Sequence, residues 1–192
     1  MDTRWLTREQ LAAWVRLAAV LELLPTALDG QLRRDAQLTH FDYQVLAMLS
    51  ESPDRTMRMA KLAEGTTATL ARLSHVVQRL ESRGLLERVP CPGDRRATNA
   101  RLTEAGWQKV RQAAPGHVSF VRDNVIDALA PEQVSQLADI TQAILSRLDP
   151  TADRAGMYQW YDSLDKRDGG VTSAEVAGWD VLDGETIEDP PS

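Results

Sequence analysis

Arginines and short polar side chains crowd one part of this chain. Arg88, Asp94, Arg95, Arg96 and Arg101 fall within residues 88–101. Just upstream, Thr69, Ala71 and Arg72 precede Leu73, and Ser74, His75, Gln78 and Arg79 lie between Leu73, Val76, Val77 and Leu80. Residues 55–111 carry 12 Lys/Arg against 5 Asp/Glu, although the whole chain stands at −6. No nucleophile motif, no paired carboxylates and no glycine-rich phosphate loop accompany them, so an enzyme is not expected. The chemistry on offer is non-covalent. Guanidinium groups suit anionic oxygens, and small hydrogen-bonding groups suit a surface read at close range. A basic island in an acidic protein most often meets a phosphate backbone.

The spacing of the apolar residues decides how these groups are presented. Leu73, Val76, Val77 and Leu80 form one stripe of a helix over 70–83, which places the polar set on the other side. A major groove about 12 Å wide admits one helix, and short side chains let it approach the base edges. A brief helix over 59–64 precedes it, ended near Gly65, and Thr66, Thr67 and Thr69 make a turn and cap. Gly84 closes the longer helix. Strands follow over 85–89 and 98–102, joined by a turn at Pro90, Pro92 and Gly93. An arginine at such a hairpin tip can enter a narrow minor groove, where the negative potential is enhanced. Asp94 can pair with an arginine and hold its orientation. The order is helix-turn-helix followed by a β-hairpin wing. A solvated helix face and a hairpin kept soluble by charge are the plainer readings.

Three stretches carry a resemblance to a known family: RLESRGLLER at 79–88, Asp94-Arg95-Arg96, and Leu102-Thr103-Glu104-Ala105-Gly106. On these, residues 56–106 resemble the winged helix of the MarR family of bacterial transcription regulators. The likeness extends more loosely over residues 5–148. It implies a homodimer on a pseudo-palindromic operator in double-stranded DNA, with the first and the last two helices at the dimer interface. Asp94 and Arg96 match the wing's aspartate and minor-groove arginine, and residues 69–75 match the start of the recognition helix. His75 stands where the family often has arginine. The family also implies sensing of a small-molecule effector or an oxidant. Trp14, Phe41, Tyr43, Trp107 and His117 are candidates to line such a pocket, although each also suits core packing.

The flanks read as long helices. Thr7 and Gln10 form a capping-box pattern, and Leu11, Trp14, Val15, Ala18, Leu21 and Leu28 recur at helical spacing, with a kink expected at Pro25. Thr39 and Asp42 suit the start of the next helix, with Leu38 and Tyr43 as a hydrophobic staple. Thr103 caps a further helix, which Pro115-Gly116 is expected to interrupt, and Pro131 suits the first turn of the last one. The stripes over 118–129 and 134–148 exceed what a monomer could cover, which independently implies a dimer.

The expected fold is mainly α: a winged helix-turn-helix with a helical dimerisation region and a small β-hairpin wing. The body spans 1–149, with the winged helix at 39–104 and dimerisation helices at 5–36 and 103–148. Residues 149–192 carry 3 Lys/Arg and 11 Asp/Glu, so the acidic balance belongs to the tail. That tail, 150–192, is expected to be partly disordered, with Tyr158, Trp160 and Trp179 able to dock on the body. Cys91 is the only cysteine, so no internal disulfide or thiolate cluster is available. His40, His75 and His117 lack ligand-like neighbours, and no metal or cofactor is expected. No apolar run approaches 18 residues and no apolar leader follows Met1, so no membrane span and a cytoplasmic location are expected. The competing reading is a winged-helix protein-interaction module whose basic face binds an acidic partner or its own tail.

Overall fold

A computed structural model describes residues 3–149, with Arg95 and Arg96 described by their backbone. The acidic tail, its expected disorder and the docking residues Tyr158, Trp160 and Trp179 lie outside the described residues. Six α-helices and a three-stranded antiparallel sheet follow one another: α1 (Arg8–Ala36), α2 (His40–Ser50), β1 (Thr56–Arg58), α3 (Met59–Gly65), α4 (Leu70–Ser82), β2 (Leu86–Cys91), β3 (Asp94–Leu102), α5 (Glu104–Val121) and α6 (Pro131–Leu148). This is the mainly helical winged architecture that the periodicities predict.

The helix starts follow local chemistry. Thr7 and Gln10 close a capping box on α1, and Thr39 and Asp42 close one on α2. Thr69 accepts from the Arg72 N–H at α4, and Thr103 from the Gly106 N–H at α5. The core joins the end of α1 to the winged helix through the fully buried Leu32, Leu46, Leu49, Leu62, Leu73, Val77, Leu80, Leu86 and Val110. Gly106 is where α5 crosses the strand entry: a Cβ there would lie 1.9 Å from the Leu85 carbonyl oxygen.

Three expectations need correction. The expected two-stranded hairpin gains a third strand, because β1 pairs with β3 to give the order β1-β3-β2. The wing strands are longer than read: β2 runs through Pro90, because proline's missing N–H can be tolerated on a strand with an open edge. α5 runs through Pro115-Gly116 without interruption, as α1 does through Pro25, and a π-helical turn at Arg122–Ile126 continues α5. By length and composition alone α1 would also be able to cross a membrane, with Arg16 and Glu22 inside its apolar stretch.

Burial explains what α1 and α6 are for. The C-terminal part of α1 enters the core at Leu28, Leu32 and Ala36, whereas Trp14, Val15, Leu21 and Leu23 are each more than half exposed. α6 has no buried residue at all, and Leu137, Ile140, Ile144 and Leu148 are open to solvent. An apolar helix with nothing to cover it in one chain is an interface in search of a second surface.

Candidate nucleic-acid interface

α4 presents two chemically distinct faces. Leu73, Val76, Val77 and Leu80 are buried, and Thr69, Ala71, Arg72, Ser74, His75, Gln78 and Arg79 are all exposed. The helix is amphipathic because its apolar positions fall at three- and four-residue spacing, so one surface anchors it and the other is free to meet a ligand.

Two of its arginines are not loose. Arg79 forms an ion pair with Asp42, whose side chain is only 3% exposed. The same carboxylate accepts the Thr39 N–H at 3.0 Å, so Asp42 caps α2 and grips α4 at once. Arg72 lies over the Phe41 ring at 4.3 Å from its centroid. Arg79 and Arg72 are one face of the helix, fixed by consecutive residues of α2.

The wing is joined to this helix through Arg88. Its guanidinium donates to Glu81 Oε2 at 2.9 Å and to the Ser74 carbonyl at 3.0 Å, while its N–H donates to Glu81 Oε1 at 3.1 Å. At the tip, Asp94 pairs with Arg58 of β1. Arg101 pairs with Glu87 at 2.8 Å across the strands. Such half-exposed pairs contribute only about 0–1 kcal/mol each, so their value is positional. The strand register jumps from Pro90–Thr98 to Cys91–Asp94, which leaves residues 95–97 as extra length on β3. A bulge of this kind re-aims a strand end. Here it carries the backbone of Arg95 and Arg96, with Gly93 at φ +82° supplying the turn.

Of the five candidate pocket residues, Tyr43 and His117 meet, with ring centroids 4.5 Å apart and planes tilted by 50°. Phe41 faces Arg72 on α4, and Trp107 is buried beneath Arg55 at 4.1 Å. Trp14 is exposed on α1. Arg55 also pairs with Glu104 at 3.0 Å; hydrogen bonds from Gln108 and Arg55 hold that carboxyl below its usual range. Among the described residues, no group of three His, Cys, Asp or Glu could hold a metal.

Sequence reading missed Arg58, Glu81 and the double role of Asp42. Asp42 carried a cap signal, but its reach to Arg79 crosses 37 positions and has no local signature.

Comparison with known proteins places this geometry. A MarR family transcriptional regulator from Streptomyces coelicolor, solved in complex with DNA, is 43% identical, with a TM-score of 0.75. The match covers 78% of this chain and 93% of that one. The chain belongs to the MarR family. The MarR family profile itself matches residues 36–97. AbsC, another MarR family regulator from Streptomyces coelicolor, is 40% identical over 77% of this chain and 99% of its own, with a TM-score of 0.74. The transcriptional repressor MprA of Escherichia coli is 27% identical over 107 residues, which is 56% of this chain and 60% of that protein. The MarR match therefore spans less than two thirds of this curated relative.

Proposed function

We propose that this MarR family member is a homodimeric, sequence-specific DNA-binding transcriptional regulator acting in the cytoplasm as a repressor. The observation that carries this reading is the exposed polar face of α4, Thr69 to Arg79, fixed on one side by α2 and on the other by the arginine-rich wing. A helix entering the major groove must be held rigidly, because each good base contact discriminates by about 1–3 kcal/mol only if its geometry is set. Ser74, His75 and Gln78 are the base-reading candidates; Arg95 and Arg96 are the wing's candidates for the neighbouring minor groove. Two-fold pairing through α1, α5 and α6 would place two copies of α4 about one DNA turn, roughly 34 Å, apart. The identity to a relative solved with DNA supports the same reading.

Selection of duplexes from a random pool tests it. The expected result is an enriched pseudo-palindrome, bound with an affinity that falls steeply with salt. Ser74→Ala and His75→Ala should change the enriched sequence as well as the affinity. Binding without any sequence preference, equal for the parent and both variants, would support the protein-interaction reading of the basic face instead.

A further inference from the structure

The first turn of α2 faces two ways. On one side, Phe41 and Asp42 hold Arg72 and Arg79 of α4. On the other, Tyr43 and His40 pack on His117 of α5, with ring centroids 4.5 and 6.0 Å away. His117 Nδ1 is buried without a hydrogen-bond partner among the described residues, and so is Gln31 Oε1 of α1. The Gln31 amide donates to Asp35 Oδ2 at 2.8 Å, and both groups border Gly116, next to His117.

We propose that the His40–Tyr43–His117 cluster is a proton-operated joint, in which charging the imidazoles parts α2 from α5 and loosens the hold of Phe41 and Asp42 on α4. This rests on the reading of α4 as the DNA-reading helix.

The surroundings favour neutral rings in the packed state. Burial, and then the neighbouring His40, hold His117 down to about 4. Burial also lowers His40, and Asp29 of α1 opposes that shift. Asp29 accepts the His40 N–H at 2.9 Å, but its charge is already engaged by Arg33. Asp35 accepts from the neutral Gln31 amide and keeps its charge, and Asp42 is turned toward Arg79. From α4, Arg72 brings a positive charge over Phe41 of the same turn, while Arg79 is balanced by Asp42. Along α5, the residues one turn either side of His117 are Ala113, Ala114, Phe120 and Val121, none of them charged.

The sign follows from linkage. A histidine whose packed-state value lies below 6.5 leaves packing unaffected above about pH 7 and weakens it progressively from 6.5 down to about 4. At pH 5.5, His117 alone should shift the balance by about tenfold per protomer relative to pH 7.5. Added positive charge would ordinarily tighten binding to DNA, so a loss at low pH runs against the general electrostatic trend.

The full chain, with duplexes enriched from a random pool at pH 7.5, serves as the test. Affinity is compared at pH 7.5 and 5.5 at constant salt for the parent, His117→Gln and His40→Gln. The parent should weaken, by at most about tenfold per protomer, and His117→Gln should remove most of that loss. Equal ratios in all three proteins, or tighter binding by the parent at pH 5.5, would overturn the joint. The imidazole Cε1–H resonance of His117 in the parent gives a second reading that needs neither DNA nor a variant. A midpoint well below 6.5, with faster amide exchange in α2 and α4 as pH falls through it, supports the joint; a midpoint at 6.5 or above removes it. Failure of any duplex to enrich would count against the DNA-binding reading, and the resonance would still decide the joint.

Discussion

Asp42 shows how much one side chain can be asked to do. It is buried, it accepts the Thr39 N–H at the start of α2, and it pairs with Arg79 on α4. Asp42→Ala removes a cap and leaves Arg79 without its partner, and the loss should be about 2 kcal/mol of stability in urea unfolding. It should also lower DNA affinity, whereas Gln78→Ala should lower affinity without touching the unfolding midpoint. Arg96, at the wing tip, is the proposed contact at the other end of the interface. Arg96→Ala should weaken binding more than tenfold and flatten the dependence of log affinity on log salt, since a cation facing phosphate contributes to that slope. A parent-like slope and affinity in that variant would take the wing out of DNA contact.

At the scale of elements, the winged helix depends on close approach as much as on ion pairs. α5 meets the end of α4 and the start of β2 at Gly106, where the Leu85 carbonyl leaves no room for a methyl group. Gly106→Ala must push backbone apart and should cost roughly 3 kcal/mol, read as a clear fall in Tm. Gly65→Ala is the control. The atoms it would meet are the Sδ and Cε of Met48, the flexible end of one side chain, so its Tm should move far less. Similar losses in the two variants would mean that backbone crowding at Gly106 is not the limiting contact. The fastening of the wing to α4 by Arg88 explains why both parts can act as one surface.

The whole molecule is defined by what one chain leaves uncovered. The exposed apolar residues of α1 and α6 predict a homodimer, and light scattering at micromolar concentration should give about twice the 21.3 kDa chain mass. A monomer at every concentration would also remove the two half-site arrangement. The acidic tail adds a second global effect. Deleting residues 150–192 removes ten acidic side chains against three basic ones, and should strengthen DNA binding while the dimer survives. If the tail is only tethered, that gain should vanish at high salt, because exposed charges are screened within about 8–10 Å at physiological ionic strength. A gain that persists at high salt would indicate a tail seated on the basic face. An unfolded truncation would show that the tail's aromatic residues belong to the core.

The elements of this fold are written locally. Thr7, Thr39, Thr69 and Thr103 each begin a helix by accepting a nearby N–H, and the stripe of Leu73, Val76, Val77 and Leu80 sets which face of α4 is buried. Such signals act over three or four residues, so the sequence by itself determined the helices, the wing and the exposed polar face. The interruption expected at Pro115-Gly116 is absent for a related reason: one missing backbone donor leaves α5 enough other bonds to run on. What the tertiary structure alone decided is the company each side chain keeps. Phe41 and His117, grouped as one pocket by residue type, lie on opposite sides of the same turn, one against Arg72 and the other against Tyr43. Arg79, by type a DNA contact, is also a tether to Asp42. Pairings between distant positions depend on how whole helices cross, and crossing is set by the summed packing of the core rather than by any stretch of residues.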